Sequence, residues 1–493
     1  MIKMMRLRPL VLALAAALAS GCAVGPEYRR PPVTTPEQIR GHEGATEAAS
    51  LADEAWWEIF QDDALKGLID EALKNGYDVR LAAWRVEEAR ANAGIVHSGF
   101  DPAIQADAGR SRSRRSVGST LGSEPVTLHD VNLGFTWEID LWGRIRRLNE
   151  AARAEYLSTE EARRGVLLSL VSEVATSYFE LRQLDLQLDI ARRTAGAFRE
   201  TYDLFDRRLQ AGAASALETS SAQASLSSTS AGIPDLERQI AAQENRIALL
   251  LGRAPEAIPR GTLLNDQLLP QEIPAGLPSD LLERRPDLRE AEQRLVAANA
   301  EVGVAVADFF PTLSLTGAFG GVSRQVSDLF GDRRTWSVGG GLLSPVFQGR
   351  RLKNEHRAAL ARWEEAKVQY ERSVTGAFQE VATALVAYQK LAAAEKEQAG
   401  AVAAFRQAVD LSNSRYVGGL SDYLEVLQAQ QQLFPAENAL ARIRFERLAT
   451  LVELYKALGG GWKLSDPAGW RAPERTAAST PVPAGIAAPE SAR

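Results

Sequence analysis

From Val131 to Trp142 the chain alternates without a break. Val131, Leu133, Phe135, Trp137, Ile139 and Leu141 are apolar, and Asn132, Gly134, Thr136, Glu138 and Asp140 between them are polar or small. A period of two predicts a strand with one face in an apolar medium and the other in water. Its length, about ten residues, is that of a strand crossing a membrane. Ile104 to Gly109 predicts a preceding strand. A second pair is weaker: Leu313, Leu315 and Phe319 alternate, then Trp336, Val338, Leu342 and Val346 share a face around Gly339-Gly340-Gly341. The same alternation is compatible with the edge of a soluble β-sandwich. The glycine run lacks both the GK[ST] ending and the GxGxxG spacing of a phosphate cradle, and fits a tightly curved strand.

The helical pattern is of another kind. Between Ile145 and Leu209 there is no proline, and Leu167, Val171, Val174, Tyr178, Leu181, Leu184 and Leu188 advance by threes and fours. Leu352 to Tyr416 repeats this, with Tyr370, Val374, Phe378, Val381, Leu385 and Tyr388 on one stripe. This is a coiled-coil rhythm, and each helix would reach roughly 100 Å at about 1.5 Å per residue. Gly212 and Gly418-Gly419 stop them. Returning helices follow over 216–251 and 422–458, with interruptions expected at Pro234 and Pro435.

The chain is therefore written twice. Asp78-Val79-Arg80-Leu81-Ala82 returns as Asp287-Leu288-Arg289-Glu290-Ala291, and Arg208-Leu209-Gln210-Ala211-Gly212 as Arg415-Tyr416-Val417-Gly418-Gly419. An offset of about 208 residues is too long for a solenoid unit and marks a duplicated domain. Each copy reads short helix, two strands, very long helix, second helix. Around four strands cannot close a barrel, for which about eight is the smallest useful number. Open edges are not tolerated in lipid, so several chains must pool their strands.

Composition narrows the function. The net charge of −6 argues against broad nucleic-acid binding. The histidines His42, His97, His129 and His356 are scattered and form no metal pair. No nucleophile–base constellation stands out, so no enzyme, cofactor or metal is expected. The single cysteine can form neither an internal disulfide nor a thiolate cluster. It closes a leader: Lys3, Arg6 and Arg8, then an apolar Leu10–Leu18, then Ala19-Ser20-Gly21-Cys22. That is a lipoprotein-type cleavage site, with Cys22 the acylated N-terminus. An ordinary signal peptide with an incidental cysteine is the other reading.

The words Gly21-Cys22-Ala23-Val24-Gly25-Pro26-Glu27-Tyr28, Trp56-Trp57-Glu58-Ile59-Phe60, Asp140-Leu141-Trp142-Gly143-Arg144, Glu283-Arg284-Arg285-Pro286-Asp287-Leu288 and Ser421-Asp422-Tyr423-Leu424-Glu425-Val426-Leu427 span most of the chain. In this order they resemble the TolC-type outer-membrane efflux factors, in the lipoprotein branch that serves resistance-nodulation-division pumps. The resemblance implies a mainly α fold with a membrane β-barrel. In a homotrimer, twelve strands form a barrel continuous with a twelve-helix periplasmic α-barrel. It also implies a periplasmic adaptor and an inner-membrane pump as partners, and export of drugs or other toxic small molecules. Type I protein secretion and heavy-metal efflux are the alternatives. A copper or silver exporter would lack one soft ligand, since Met1, Met4 and Met5 are the only methionines.

On this reading the chain divides into a signal peptide (1–21), an N-terminal equatorial segment (22–62) and a first repeat (63–252; strands near 103–142, helices near 144–251). An inter-repeat segment (253–280), a second repeat (281–462; strands near 312–347, helices near 351–458) and a tail (463–493) expected to be disordered complete it. The resemblance puts the turn from Arg415 to Leu427 at the periplasmic tip, where three copies meet. Leu424 matches an apolar constriction and Tyr416 a tyrosine that holds the inner helices. Val417 and Gln428 stand where relatives often carry arginine and aspartate, so no salt-bridged lock is expected between them. Asp422 either supplies a negative ring that selects cations or only caps the returning helix.

Overall fold

The computed structural model describes residues 23–33, 35–36, 38–41, 50–51, 59–114, 125–270, 273, 278–329 and 334–460. The leader, Cys22, His42, Trp56-Trp57 and the tail lie outside these residues. Within them the chain is mainly helical with one small antiparallel sheet. In order come α1 (Asp63–Asn75), α2 (Tyr77–His97), β1 (Ala103–Ser113), β2 (Val126–Ile139), α3 (Arg144–Gln210) and α4 (Ala216–Leu250). Then follow α5 (Pro278–Arg284), α6 (Pro286–Ala307), β3 (Thr312–Ser323), β4 (Arg334–Leu343), α7 (Arg351–Val417) and α8 (Tyr423–Ala457). The short helix of each copy is thus two helices. Gly76 divides the first pair; a Cβ there would lie 2.5 Å from the Ala72 carbonyl. Pro286 opens α6, where its missing N–H costs nothing.

Two compact units form. One comprises Met1–Thr35, Ala82–Arg163 and Pro286–Gly376; the other comprises Pro36–Leu81, Arg164–Arg285 and Ala377–Arg493.

The first unit holds the sheet, ordered β1-β2-β3-β4. Ile104 pairs with Phe135, Leu133 with Phe319, and Phe319 with Trp336, which sets the side-chain phase across all four strands. One face carries Ile104, Leu133, Phe319, Trp336, Val338 and Leu342, all exposed. The other carries Asp107, Asn132, Thr136, Glu138, Thr316 and small residues along its middle, with Leu128, Val322 and Leu343 towards its ends. The alternation continued to Leu141 in sequence, but β2 ends at Ile139. The Asp140 carboxylate accepts from the backbone N–H of Ile145 and Arg146 (3.1 and 3.0 Å), so Leu141–Gly143 become the turn into α3. The segment after residue 22 is clamped here. Val24 N–H donates to the Trp142 carbonyl at 3.0 Å and Asn299 Nδ2 to the Pro26 carbonyl at 3.1 Å. Gly25, at φ +99°, crosses Gly303 so closely that a Cβ would lie 2.5 Å from its Cα.

The second unit holds the main hydrophobic core. Leu167, Val171, Val174, Tyr178 and Leu181 of α3 pack with Val381, Leu385 and Tyr388 of α7, Leu451 and Leu454 of α8, and Leu65 and Ile69 of α1. Asp62, wholly buried, caps α1 by accepting from the N–H of Ala64 and Leu65. Its other oxygen accepts from Tyr178 Oη, Thr262 N–H and Gln267 Nε2, each at 2.9 Å. Helix ends are closed alike in both copies. Ala213 N–H bonds to the Arg208 carbonyl and Gly212 N–H to that of Leu209; Leu420 and Gly419 do the same to Arg415 and Tyr416. These are Schellman motifs around left-handed glycines.

The expected interruptions at Pro234 and Pro435 do not occur: α4 and α8 run continuously through both prolines. A proline removes one ladder bond and crowds the carbonyl four residues back, about 3 kcal/mol. Around Pro435 packing outweighs that loss, with Ala436 and Glu437 buried and Gln398 Nε2 donating to the Ala436 carbonyl at 3.0 Å.

Candidate functional site

Two places offer more than packing: the α7–α8 turn in the second unit and the sheet in the first. At the turn, the returning helix is fixed by an aromatic cluster. Tyr423 is buried, its ring meeting Phe205 edge-on at 4.8 Å and Tyr416 at 5.0 Å. Its hydroxyl pairs with Thr201 Oγ1 at 2.5 Å. Burial pushes the Tyr423 phenol above its ordinary value, so it stays a neutral hydrogen-bonding group. Val426 and Leu427 complete the buried stripe with Phe198, Ala222 and Leu226. Tyr416 is half-buried, and its hydroxyl accepts from Arg208 of the first hairpin. Thus Tyr416 ties α7 to α3.

The remaining candidates face outward. Leu424 is 58% exposed, alongside Val417 and Leu420. Asp422 and Gln428 are also exposed. Asp422 occupies the N-cap position of α8 with extended backbone, yet its side chain makes no capping hydrogen bond. The matching turn of the first copy differs. Ser215 accepts from Glu218 N–H at 3.2 Å and Glu218 answers the Ser215 N–H at 2.8 Å, a complete capping box. Glu425 pairs with Arg415 at 3.3 Å, leaving Asp422 as the acid of this turn with no basic partner among the described residues.

Sequence reasoning did not single out Tyr423, Arg208 or the Arg415–Glu425 pair. The spacing of Tyr423, Val426 and Leu427 carried the signal for the first, because i, i+3, i+4 apolar residues share a helix face. The other two pair residues from separate elements, which spacing does not reveal.

The sheet combines an exposed apolar face with two strand edges, β1 and β4, that have no partner strand among the described residues. Among those residues, no helix is long and apolar enough to cross a membrane, and no cluster of three or more His, Cys, Asp or Glu is placed to hold a metal ion. At the foot of the sheet, Trp142 stacks on Phe310 at 4.8 Å and donates to the Pro311 carbonyl at 2.8 Å. Trp137 donates to the Phe100 carbonyl at 2.8 Å. Tryptophans with an apolar body and a satisfied N–H suit the border between lipid and water.

Known proteins share this organisation. The family profile described as "Outer membrane efflux protein" matches residues 68–253 and 277–460. The cation efflux system protein CusC of Escherichia coli O6:H1 is 34% identical over 461 residues, covering 93% of this chain and 99% of that protein. The outer membrane protein OprJ of Pseudomonas aeruginosa is 36% identical over 459 residues, covering 92% and 96%. The open-state structure of the MtrE outer membrane channel of Neisseria gonorrhoeae superposes with a TM-score of 0.81 at 32% identity, covering 90% of this chain and 99% of that one. With the repeated strand pair, the repeated long hairpin and these matches over nearly the full chain, the protein belongs to the outer membrane efflux protein family and is an efflux channel protein of the outer membrane.

Proposed function

We propose that three copies of this chain form one exit duct. Each gives four strands to a closed twelve-stranded barrel, and α3, α4, α7 and α8 to a twelve-helix periplasmic tunnel. The single observation that carries this reading is the four-stranded sheet with an exposed apolar face and two open edges. Unpaired backbone groups in lipid cost several kcal/mol each, about the largest penalty available to a strand, so closure by neighbouring copies is the economical solution. Cys22 carries the acyl anchor. The close approach of Ala23 to Gly143, at the foot of the sheet, supports an anchor near the barrel base. Residues 22–62 and 253–280, with the C-terminal segment, build an equatorial belt around the tunnel formed by repeats 63–252 and 281–462, and 463–493 is a tail.

The duct completes a tripartite pump with a periplasmic adaptor and an inner-membrane pump of the resistance-nodulation-division type, and its task is transport rather than catalysis. At the tip, Leu424 forms the apolar constriction and Tyr416 holds the inner helix to its neighbour. Asp422 supplies the negative ring, a role favoured by its unmade cap and by its having no basic partner among the described residues. Gln428 replaces an acid and adds no charge to that ring. A second reading, cation export, is favoured by the likeness to CusC, which is named a cation efflux protein.

Planar-bilayer recording tests the channel. Purified protein should conduct, Leu424→Ala should raise closed-state conductance, and Asp422→Asn should reduce cation selectivity. Native mass measurement in mild detergent should give a trimer. A stable monomer with full strand content would overturn the barrel. Deletion of the gene, followed by a panel of drugs, copper and silver, separates the two export readings.

A further inference from the structure

Three arginines and a histidine of the sheet have no part in the transport path. Arg110 and Arg112 lie on β1, His129 on β2 and Arg334 at the start of β4. The register fixes their face. Ile104 opposes Phe135, so the even-numbered residues of β1 share the face of the odd-numbered residues of β2; Arg110 opposes His129 and Arg112 opposes Thr127. Arg334 opposes Gly321, two residues along from the Phe319–Trp336 pair on that same face. All four basic groups therefore lie on the apolar face, where the apolar rows end.

The band below them has a definite height. Ile139, Trp137, Phe135, Leu133 and Val131 mark successive rows of β2. At about 3.4 Å per residue this is roughly 27 Å along the strand, or about 20 Å vertically at a tilt of about 40°. That is close to the apolar band of an outer-membrane barrel, about 25 Å tall. The basic row sits where that band gives way to headgroups, at the end away from the helices.

Charge is sorted by face and by end. Asp107, Asp130 and Glu138 take the opposite face. At the helical end the cations are matched: Arg144 binds Glu138 through two bonds of 2.9 and 2.7 Å, and Arg146 binds Asp140 at 3.1 Å. Arg110 and Arg112 are exposed and meet no carboxylate among the described residues. Arg110 and Arg112, so placed at one border of an apolar band, complement an anionic leaflet on that side only.

We propose that Arg110, Arg112 and Arg334, with His129 as a further donor, bind the phosphate groups of the phosphorylated glycolipid in the outward leaflet. The proposal rests on the sheet being a barrel wall. Guanidinium forks match phosphate oxygens in pairs, which a lysine point charge does not. In the trimer the row would recur three times around the rim.

The test uses the full-length trimer in detergent and in vesicles. The probes are bisphosphorylated lipid A and the same lipid with both phosphates removed. Binding is read by native mass spectrometry and by lipid-induced thermal shift at low and high salt. Removing one arginine as glutamine should weaken bisphosphorylated lipid binding about fivefold, and Arg110→Gln/Arg112→Gln about 25-fold. Arg110→Lys/Arg112→Lys should lose only part of this. Arg372→Gln, exposed on α7 away from the sheet, should change nothing. Conductance should be unaltered in every variant. Equal binding by the double glutamine variant, or equal binding of the dephosphorylated lipid, would overturn the proposal while leaving the channel intact. A wild-type trimer that fails to conduct would remove the barrel wall itself and the proposal with it.

Discussion

Asp62 is one carboxylate holding three segments together, and its removal should open the region locally. It is wholly buried and surrounded by donors alone: Ala64 and Leu65 N–H from α1, Tyr178 Oη from α3, and Thr262 N–H with Gln267 Nε2 from the segment between the repeats. Asp62→Ala removes the cap, worth about 1 kcal/mol, and strands buried donors at about 1–3 kcal/mol each. Gln267 keeps a partner, because its Nε2 also donates to the Thr262 carbonyl at 3.1 Å, whereas the Tyr178 hydroxyl loses its acceptor although its oxygen still accepts from Gly261 N–H at 2.8 Å. The penalty then falls on the cap, on Thr262 N–H and on the Tyr178 hydroxyl, about 3 kcal/mol at the low end of these ranges. Asp62→Asn should cost less, about 1–2 kcal/mol: one oxygen still caps α1, and Tyr178 and Gln267 can turn to suit an amide. A global melting curve is a poor gauge for a large membrane protein that unfolds irreversibly. Hydrogen exchange of a peptide covering residues 258–268 reads the local opening directly. In the alanine variant its amides should exchange about 100-fold faster, and in the asparagine variant about tenfold faster. Unchanged protection in Asp62→Ala would show that the carboxylate is a bystander.

Three further outcomes are expected. Cys22→Ser should abolish acyl labelling yet leave the exported, assembled protein in the membrane fraction, because a barrel holds more strongly than a lipid; recovery in the soluble periplasm would count against the barrel. Ser215→Ala should destabilise the first turn of α4 by about 1 kcal/mol, seen as faster exchange over 216–219, whereas Asp422→Ala should leave the first turn of α8 unchanged because no side-chain cap is lost. Burial, with help from Asp287 and Glu161 and against Arg294, raises the Glu290 carboxyl above its ordinary value. A folded carboxyl raised in this way binds its proton more tightly than the unfolded chain does, so it subtracts stability as pH rises through the window between the two values. Glu290→Gln should therefore slow hydrogen exchange of a peptide covering residues 286–307 relative to wild type near neutral pH, and the gain should vanish once the pH falls below the carboxylate range.

The parts of this molecule that repeat were legible in sequence, because repetition supplies its own control. The stripe of Leu167 to Leu181 and that of Tyr370 to Tyr388 say the same thing twice, and both are buried on long helices. Val131 to Ile139 declared its face because every second residue agrees. The prolines misled, since a local rule about one lost bond was set against the packing of whole helices. Asp62 gave no signal: a lone acid before a helix reads as a cap, and its partners lie 116 and 200 or more positions away. At the turn, the family resemblance pointed to Leu424 and the spacing of Tyr423, Val426 and Leu427 held an unread signal, but the bond from Arg208 to Tyr416 spans 208 positions and belongs to tertiary structure alone.

The bare edges of β1 and β4 carry a consequence for the cell that makes this protein. On the proposed barrel reading, a lone chain has a fragment of wall and encloses nothing, so it cannot perforate a bilayer. For the trimer proposed above, pore number then follows mass action with a third-order dependence on free subunit, and a tenfold drop in subunit lowers equilibrium pores about a thousandfold. Stray or slowly exported copies are harmless at low abundance, and leakiness is confined to the point where supply passes a threshold. The incompleteness of the sheet thus acts as a fuse against accidental permeability.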